Sequence, residues 1–465
     1  MKLSVFVVGS NPLPILIALC YDLKLVSGVC DEHTKPDRIL FVCSKQTEKY
    51  VDNCINWLKK KINTLPHFDS LTLANVHNAI DIYNNMTDKL DQCYSYGEFT
   101  TLLLNNTGGT KIMSVTTTMA MVEFAKDKDI AITEVDIDPE SKIIVEHNLL
   151  EHVDTATWPI PGNGNLDAQF GDLITIDDIV DIYEYEYKKP RTPNYTFGGR
   201  EKTIEFGKRI FEHWNEYEIC NKAFFGYSGI FDNNRKVRIS DPFPLFPLQK
   251  QGTNFENVDE NIMLKFFTKD KGFFKNKLDD INKVSDAFFG YLTHELRDLM
   301  KYEDIGRANA ITRDYLAFLN GKWLEEFIYA VIEEILENDK KGPPLFEIIN
   351  SFEIKPKNTE GKSEFEIDLV FRKGVTVTFI SCTTDSKLSL AIDKFLEALV
   401  NADSIGLRTQ VVLITLSKEY DSKKSLESRF SMFQAIEYRK SKVLCLEDVR
   451  DFDKLKNKLK NFLDI

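Results

Sequence analysis

Seven residues near the front of the chain, Asn105 to Lys111, combine the end of a strand, paired glycines and the start of a helix. They read Asn-Asn-Thr-Gly-Gly-Thr-Lys, follow the apolar segment Phe99–Leu104 and precede the helical pattern Met113–Ala125. Glycines at the carboxyl end of a strand let backbone N–H groups close on an anion at the amino terminus of the next helix. The segment therefore predicts a strand, a phosphate-binding turn and a helix. For the glycine pair alone, a turn without a ligand is the simpler alternative.

The spacing of the two glycines excludes two common nucleotide-binding motifs. A Walker A loop needs four residues between its glycines, whereas Gly108 and Gly109 are adjacent. The Gly-x-Gly-x-x-Gly fingerprint of dinucleotide-binding folds is also absent at this turn. The turn therefore predicts an anion site of another kind.

Short apolar strands and helical patterns alternate over about the first 150 residues. The strands are Leu3–Val8, Arg38–Cys43, Leu71–Val76 and Phe99–Leu104, and the helices are Pro14–Tyr21, Thr47–Lys61 and Ala79–Asp91. This alternation predicts βαβ crossovers and a parallel, Rossmann-like sheet with helices on both faces. Ligands bind such sheets at the carboxyl ends of the strands, close to the point where the strand order reverses.

Three loops are expected to meet at that edge of the sheet and to form a ligand site. The candidate ligand-binding residues are Gly9, Ser10 and Asn11 in the first loop, Ser44 in the second, and Asn106, Thr107, Gly108, Gly109, Thr110 and Lys111 in the third. Backbone N–H groups, hydroxyls, amides and a lysine together suit a phosphorylated ligand.

The length of 465 residues suggests two or three domains. We predict a first α/β domain at residues 1–152, a linker and largely helical middle region at residues 153–310, and a second α/β domain at residues 311–465. The middle region contains the aromatic and proline-rich segment Asp241–Pro247. Its aromatic rings are expected to fill a small core, with a stacking platform for nucleic-acid bases as the alternative, and no chemistry is assigned to it.

Charge and cysteine content limit the classes of protein to which the chain can belong. It has 59 basic and 72 acidic residues, a net charge of −13, which argues against a protein that coats nucleic acid through its whole surface. Eight cysteines without a Cys-x-x-Cys pair indicate neither a zinc ribbon nor a disulfide framework, and we expect a reducing, cytoplasmic location. No apolar run approaches the roughly 18–20 residues that cross a bilayer, so no membrane segment is predicted.

The last third of the chain predicts a helix, three strands, a helix and a further strand. These segments are Ala317–Asn338, Leu345–Ile354, Phe365–Phe371, Val375–Cys382, Leu388–Asp403 and Thr409–Thr415. Glu325 and Glu326 lie on the first helix, and Glu366 and Asp368 lie on the second strand. The two-residue period of a strand places Glu366 and Asp368 on one face, where both can reach one divalent cation.

The segment Thr107–Lys111, Thr-Gly-Gly-Thr-Lys, resembles the corresponding loop of CARF domains, the cyclic-oligoadenylate sensors of type III CRISPR systems. The resemblance implies that the loop residues above bind a cyclic oligoadenylate as an activator. In that reading Lys111 reaches a phosphate, and Ser10 and Asn11 contact a base or ribose. A homodimer is implied as well, because an even-numbered ring has a two-fold axis and is bound across two identical domains. Cyclic tetra-adenylate is the first expectation and cyclic hexa-adenylate the second.

The last third resembles the PD-(D/E)xK nuclease domains that are linked to CARF domains. The resemblance depends on residues 320–329, Asn-Gly-Lys-Trp-Leu-Glu-Glu-Phe-Ile-Tyr, and on residues 366–368, Glu-Ile-Asp. It implies a restriction-endonuclease-like domain in which Asp368, Glu366 and Glu325 hold Mg²⁺ or Mn²⁺. The implied reaction is hydrolysis of DNA or RNA in antiviral defence, with the preference between the two substrates left open. The candidate catalytic residues are Glu325, Glu326, Glu366, Asp368, Ser381 and Lys387.

The third strand departs from the pattern of that nuclease family. Ser381 stands at the position of an acid, and Thr383 stands at the position of the lysine. A hydroxyl does not neutralise a metal ion, and threonine cannot polarise an attacking water as an ammonium group does. Lys387, just after the strand, or Lys394, on the next helix, is the candidate replacement. Either lysine can equally be an ordinary surface charge.

Two other functions are compatible with the same sequence. In the first, the nuclease domain is degenerate, and ligand binding acts through a conformational change or a partner. In the second, the CARF domain cleaves its own cyclic ligand, which requires a ribose 2′-hydroxyl in line with its phosphate.

A HEPN ribonuclease is excluded because no arginine precedes a histidine at the spacing of that family; Arg209 and His213 are one residue too close. Cys382 is expected to pack as a small apolar residue.

Overall fold

The structure of the protein is a computed structural model that describes residues 1–25, 35–138, 143–151, 153–158, 170, 173–187, 195, 198–225, 283–288, 290–292, 318–338, 346–357, 365–384, 388–405, 409–416 and 441–465. These residues form a mixed α/β fold with a Rossmann-like sheet in the N-terminal part of the chain. Helices follow in the middle, and a second sheet lies in the C-terminal part, as the sequence predicts.

The first sheet contains seven of the described strands in the order β3-β2-β1-β4-β5-β6-β7. They are β1 (Lys2–Val7), β2 (Arg38–Ser44), β3 (His67–Leu73), β4 (Thr101–Asn105), β5 (Ala131–Asp138), β6 (Ile143–Asn148) and β7 (Val153–Trp158). Strands β1 to β5 run parallel, whereas β6 and β7 are antiparallel additions at one edge. The strand order reverses between β1 and β4, so the loops after these two strands meet at the switch point.

Helices cover both faces of the first sheet because alternate residues of its strands point to opposite sides. These helices are α1 (Leu13–Asp22), α2 (Glu48–Lys61), α3 (Ala79–Ser95) and α4 (Lys111–Lys128). Phe6 of β1 packs in an apolar cluster with residues of α1 and α2, and Val5 packs in another cluster with residues of α3 and α4. Both faces are therefore buried, which leaves the carboxyl ends of the strands for polar loops.

The second sheet contains six of the described strands in the order β13-β12-β11-β10-β9-β8. They are β8 (Tyr185–Tyr187), β9 (Phe346–Pro356), β10 (Phe365–Lys373), β11 (Thr376–Thr383), β12 (Gln410–Thr415) and β13 (Ser441–Leu444). Neighbours from β8 to β11 are antiparallel, and those from β11 to β13 are parallel. Gly374, with a φ of 58°, lies in the turn between β10 and β11.

Helices also pack on both faces of the second sheet. They are α5 (Ile176–Ile182), α6 (Arg200–Glu212), α7 (Trp214–Phe225), α8 (Trp323–Asn338), α9 (Leu388–Ile405), α10 (Leu446–Val449) and α11 (Phe452–Leu463), with a π-helical turn at Phe318–Lys322 before α8. Buried Trp323 of α8 belongs to the apolar cluster that joins α6, α7 and α11 to one face. Phe395 of α9 packs on the opposite face. The acidic helix α8 therefore runs directly beside the central strands.

The largest differences from the predicted elements lie in the first sheet. The strand predicted at Leu71–Val76 lies at His67–Leu73, because β3 is an edge strand whose polar first residues are partly exposed. The sequence predicts no strand at β5, β6 or β7, and β7 belongs to this sheet although it follows residue 152. The aromatic segment Asp241–Pro247 lies outside the described residues. The domain boundaries at residues 152 and 310 stay predictions.

Among the residues that the structure describes, no helix is both long enough and apolar enough to span a membrane.

Candidate functional site

The loops after β1 and β4 are in backbone contact at the switch point of the first sheet. A Cβ atom added to Gly9 would stand 1.4 Å from the carbonyl oxygen of Gly108, and a Cβ atom added to Gly108 would stand 2.5 Å from the carbonyl oxygen of Val7. The two loops reach this distance only because both positions lack a side chain. We call residues 9–11 and 106–111 the cradle.

Helix α4 begins at the cradle and directs its amino terminus toward it. The side chain of Thr110 caps the helix by accepting a hydrogen bond from the Met113 N–H at 3.2 Å. Lys111 is the first helical residue, and its side chain is exposed, as is that of Ser10. Unpaired N–H groups at a helix start and a nearby ammonium group favour an anion at this place.

The second predicted loop touches the first. The hydroxyl of Thr47 donates to the carbonyl oxygen of Val8 at 3.1 Å and also lies 3.1 Å from the hydroxyl of Ser44. The structure therefore brings together the three loops that the sequence predicts to meet. The assignment of their residues to a ligand stays a prediction.

Asn106 is held by a polar network beside α4. Its amide nitrogen donates to the hydroxyl of Thr118 at 2.7 Å and to Glu134 at 2.8 Å, and its buried amide oxygen has no hydrogen-bond partner in the described part of the chain. A groove of about 650 Å³ opens here and is lined by Asn106, Ser114, Val115, Thr118, Met119, Val122, Glu123, Lys126 and Glu134. Sequence reasoning missed Glu134, because it lies on β5, a strand that no local pattern indicates.

Asn11 is the cradle residue with a partner from far along the chain. Its side-chain oxygen accepts a hydrogen bond from the hydroxyl of Tyr183, which follows α5, and it lies 3.4 Å from the Leu13 N–H. Tyr183 is buried. Sequence reasoning missed Tyr183, since no motif links a tyrosine in a connector to a loop 172 residues earlier.

A second group of polar residues lies on the C-terminal sheet, and we call Glu325, Glu366 and Asp368 the acidic cluster. Asp368 on β10 accepts hydrogen bonds from the Cys382 N–H at 2.7 Å and from the hydroxyl of Ser381 at 3.2 Å. Both donors lie on β11, where Ile380 pairs with Leu369. Ser381 therefore holds Asp368 in place by hydrogen bonding, which a serine can do although it cannot replace an acid.

The three carboxylates of the acidic cluster affect one another. Burial, followed by the charge of Asp368, raises the pKa of Glu325 well above its usual value. Burial raises the pKa of Asp368 too, while Lys394 and the bonds from Cys382 and Ser381 oppose that shift. The pKa of Glu366 is raised by burial and then by the charges of Glu353 and Asp368. The charged forms of Glu325 and Asp368 are therefore disfavoured by desolvation, whereas the Glu366 side chain is exposed and can be solvated.

Lysines flank the acidic cluster. The charge of Lys394 on α9 lowers the pKa values of Glu325, Glu366 and Asp368, and Lys322 acts in the same direction on the two glutamates. Of the two lysines proposed to replace the missing one, Lys394 thus lies within electrostatic reach of the cluster. Lys387 lies outside the described residues.

Glu326 and Thr383 are the remaining sequence-predicted positions near the cluster. Glu326 is buried, with 3% of its surface exposed. The charge of Asp368 contributes to the raised pKa of Glu325. Thr383 ends β11 and is partly buried. The choice between Glu325 and Glu326, which the sequence leaves open, stays a prediction.

Within the described parts of the chain, no group of three or more His, Cys, Asp or Glu side chains is arranged to hold a metal ion. Carboxylate oxygens are nevertheless the donors that Mg²⁺ and Mn²⁺ prefer, and a bound cation would stabilise the charged form of acids whose pKa values are raised. The residue types of the acidic cluster therefore fit such an ion. Their side chains are not close enough together to coordinate it in the present arrangement.

Part of the N-terminal α/β region is similar to a known protein family. Residues 21–137 match the Card1 CARF domain. This region contains the second and third loops of the candidate site and begins after the first loop. The matched region spans about a quarter of the chain.

Two solved structures share the fold over nearly the whole length. Protein VC1899 from Vibrio cholerae matches with a TM-score of 0.57 and 13% identity, covering 99% of this chain and 98% of that one. Can2 from Sulfobacillus thermosulfidooxidans, whose structure is a complex with cyclic tetra-adenylate, matches with a TM-score of 0.55 and 14% identity, covering 100% of both chains. At such low identity these likenesses show the fold. No curated protein sequence matches the chain.

Proposed function

We propose that this protein is a nuclease of type III CRISPR defence that is activated by a cyclic oligoadenylate and depends on a divalent metal ion. The observation that carries the proposal is the cradle. Two glycine loops touch at the switch point of a CARF-type sheet and stand at the amino terminus of α4, next to Lys111. The acidic cluster on the second sheet supports the catalytic half of the proposal.

The cradle suits a cyclic ligand with several phosphates. Lys111 and the first N–H groups of α4 would contact a phosphate, while Ser10 and Asn11 would contact a base or ribose. The remaining candidate residues, Gly9, Ser44, Asn106, Thr107, Gly108, Gly109 and Thr110, form or border the same surface. Cyclic tetra-adenylate is the first candidate, in keeping with the ligand of the similarly folded Can2, and cyclic hexa-adenylate is the second.

A homodimer would place two cradles on one symmetric ring. The exposed face of α4 just beyond the cradle carries Ile112, Val115 and Met119, which are 40%, 59% and 60% exposed. Three apolar side chains at helical spacing on one exposed face suit contact with another protein surface. We propose a second copy of this chain as the partner, because a two-fold axis beside α4 would also bring two cradles together.

The acidic cluster would perform the hydrolysis. Asp368, Glu366 and Glu325 would hold Mg²⁺ or Mn²⁺, which when bound neutralises charge on a phosphodiester and lowers the pKa of a water molecule. Ser381 and the Cys382 N–H keep Asp368 in a fixed position. Lys394 would take the role of the lysine that β11 lacks, and Lys322 would add positive charge where the nucleic-acid backbone lies.

The test is cleavage of labelled DNA and RNA by the full chain with Mn²⁺, with and without cyclic tetra-adenylate, and with EDTA as a control. We expect cleavage only when activator and metal are both present. Asp368→Ala should abolish cleavage and leave the dissociation constant for activator unchanged, while the matched variant Asp453→Ala, at an exposed position of α11, should cleave normally. Cleavage that survives Asp368→Ala would reject this catalytic site.

A second variant separates the sensor from the nuclease. Lys111→Ala should weaken activator binding roughly tenfold or more, since a charge-assisted contact is worth about 1.5–3 kcal/mol. Lys59→Ala, which removes an exposed lysine of α2, is the matched control. Unchanged affinity in Lys111→Ala would remove the phosphate assignment.

A non-catalytic sensor is the second candidate function, and two observations favour it. The acidic cluster is not arranged as a metal site among the described residues, and β11 carries Ser381 and Thr383 in place of an acid and a lysine. In that case activator would bind and neither nucleic acid would be cut. Slow loss of intact cyclic tetra-adenylate, unaffected by Asp368→Ala, would instead indicate ring cleavage by the CARF domain.

A further inference from the structure

Residues 176–187, comprising α5 and β8, contact both halves of the molecule, and we call them the bridge segment. They follow the first sheet in sequence, yet β8 is a strand of the second sheet. Tyr183 and Glu184 lie between the two elements, and Glu184 has a positive φ of 63°. The bridge segment is thus one short piece of chain with partners at the ligand loops and at the effector sheet.

At its first end, the bridge segment is bound to the cradle and to α2. The hydroxyl of Tyr183 donates to the side-chain oxygen of Asn11, and the ring of Tyr183 meets the ring of Tyr50 edge-on at 6.4 Å between centroids. Asn53 of α2 donates to the carbonyl oxygen of Ile182 at 3.0 Å. Three ion pairs add to this contact: Lys49 with Glu184, Lys60 with Asp181 and Lys61 with Asp178.

At its other end, the bridge segment is built into the second sheet. Tyr185 and Tyr187 of β8 pair with Pro356 and Ile354 of β9. The N–H group of Ile176, at the start of α5, donates to Glu347 of β9 at 2.9 Å. Glu347 also accepts a hydrogen bond from buried Arg372 of β10. A displacement of the bridge segment therefore requires a change in β8, β9 or both.

The strand β9 leads directly to the acidic cluster. Ile354, which pairs with Tyr187, is adjacent in sequence to Glu353, and Glu353 pairs with Glu366 across β9 and β10. The path from Asn11 through Tyr183, β8 and β9 to Glu366 is continuous in hydrogen bonds and strand pairs. A continuous path does not by itself couple two sites. Coupling also requires that the ligand binds with a different free energy to two positions of the bridge segment.

The Asn11 side chain supplies that difference. Its amide oxygen has two acceptor sites: one accepts the hydrogen bond from the Tyr183 hydroxyl, and the other faces the Leu13 N–H at 3.4 Å. Asn11 is also a candidate contact for the base or ribose of the ligand, so a ligand donor has to compete for an oxygen that is already engaged at both sites. A ligand donor that takes this oxygen leaves the buried Tyr183 hydroxyl without its partner, which is unfavourable. The ligand-bound cradle therefore favours another position of Tyr183.

We propose that Tyr183 is a positioning residue that couples occupancy of the cradle to the effector sheet: ligand at Asn11 displaces the Tyr183 hydroxyl, and the bridge segment loosens the β8–β9 edge. The proposal rests on the proposed function, because it requires a ligand in the cradle. Linkage makes it reciprocal, so the cost of displacing Tyr183 lowers the affinity of the wild-type chain for its activator.

The experiment uses the full chain, cyclic tetra-adenylate as the probe, and Tyr183→Phe, which removes the hydroxyl and keeps the ring. Activator affinity is measured by calorimetry, and hydrogen exchange of the amides in β8 and β9 is measured with and without activator. Tyr187→Phe is the matched control, because the Tyr187 hydroxyl donates to Asp177 within the bridge segment and not to the cradle. Circular dichroism and the thermal midpoint establish that each variant is folded.

We expect activator to speed exchange at β8 and β9 in the wild type and in Tyr187→Phe. In Tyr183→Phe this response should fall by at least half, and activator should bind at least about fivefold more tightly because no hydroxyl has to be displaced. If Tyr183 had only a structural role, the Tyr183→Phe variant would bind activator more weakly than the wild type, not more tightly.

Other outcomes reject the proposal in distinguishable ways. Wild-type affinity or weaker affinity in Tyr183→Phe, with the exchange response retained, overturns the coupling and leaves the proposed function standing. If the wild type binds activator without any change in hydrogen exchange at β8 or β9, the coupling is also overturned and the proposed function still stands. This result requires no variant. Failure of the wild type to bind any cyclic oligoadenylate overturns the proposed function, and the coupling with it.

Discussion

Gly9 and Gly108 set the distance between the loops that follow β1 and β4. Any side chain at position 9 would overlap the Gly108 carbonyl group, and backbone atoms cannot rotate away as the end of a flexible side chain can. The requirement is steric and local, so it does not depend on which ligand the cradle accepts. The same two positions control how closely a ligand can approach the backbone N–H groups.

Gly9→Ala should therefore force the two loops apart and weaken the binding of cyclic tetra-adenylate by about tenfold or more. The physical reason is the 1.4 Å separation between the added Cβ atom and the Gly108 oxygen, which the loops can relieve only by moving. Gly290→Ala is the matched control, because no atom of the residues that the structure describes lies within 4 Å of a Cβ atom added there. Calorimetric titration measures both, and an affinity within twofold of wild type for Gly9→Ala would contradict the prediction.

Residues whose positions depend on local geometry could be placed from the sequence, and those contributed by distant elements could not. The glycine pair, Thr110 and Lys111 belong to one strand-turn-helix unit, and their pattern is readable within a few residues. Glu134 and Tyr183 reach the site from β5 and from the bridge segment, so their positions depend on how separate elements pack. The place of Lys394 near the acidic cluster likewise depends on how α9 lies against the sheet.

At the level of elements, α8 presents Glu325 to β10. Burial raises the pKa of this carboxyl, so the folded chain holds the proton more tightly than the unfolded chain does. The protonated carboxyl therefore adds to the free energy of unfolding below the unfolded pKa, and this contribution is lost as the pH rises through the folded pKa. At alkaline pH and without metal, the charged Glu325 destabilises the fold.

Glu325→Gln should raise the thermal midpoint of the metal-free protein at pH 8 by roughly 2–4 °C, the shift that about 1 kcal/mol produces in a domain of about 150–250 residues. The gain should shrink as the pH falls toward 4.5, the usual value for a glutamate side chain, because wild-type Glu325 becomes neutral there. Mn²⁺ should raise the midpoint of the wild type and not that of the variant. Thermal unfolding in EDTA and in Mn²⁺ measures all three effects.

The matched control is Glu397→Gln, at an exposed position of α9. Its thermal midpoint should equal that of the wild type, both in EDTA and in Mn²⁺. A midpoint for Glu325→Gln that stays below the wild-type value at pH 8 in EDTA would show that Glu325 is not a destabilising buried charge.

The accuracy of the predicted elements follows their burial. The helix α4 and the central strands β1 and β10 bury apolar residues at regular spacing and lie within a few residues of their predicted positions. The edge strand β3 and the short strand β8 have partly exposed faces, so their sequences resemble those of loops.

For the whole molecule, the proposed dimer makes the exposed face of α4 an interface. Met119→Glu should shift the full chain toward the monomer, because a buried unpaired charge at a dimer contact is unfavourable. It should also weaken binding of cyclic tetra-adenylate, since a ring with two-fold symmetry then contacts one cradle. Sedimentation and calorimetry measure the two effects.

Ile80→Glu is the matched control for Met119→Glu. Ile80 is an exposed apolar residue as well, with 71% of its surface exposed, and it lies at the start of α3 rather than on the α4 face. A dimer that persists in Met119→Glu, or that dissociates equally in Ile80→Glu, would contradict an interface at α4.

The order of the two α/β halves could be predicted from their motifs, whereas the contact between them could not. Motifs report residues that are near in sequence. The bridge segment joins partners more than 100 residues apart, such as Asn11 with Tyr183 and Ile176 with Glu347. Such contacts depend on the complete fold of both sheets.

A single continuous cluster of buried apolar side chains contains Phe6 and Phe41 of the first sheet, Ile179 and Val180 of α5, and Phe352 and Phe379 of the second sheet. Cleavage of the chain near residue 152 would therefore expose apolar surface on both fragments. Each fragment would be prone to aggregate, and neither would melt as the intact chain does. Each sheet therefore depends on the other to bury part of its apolar surface.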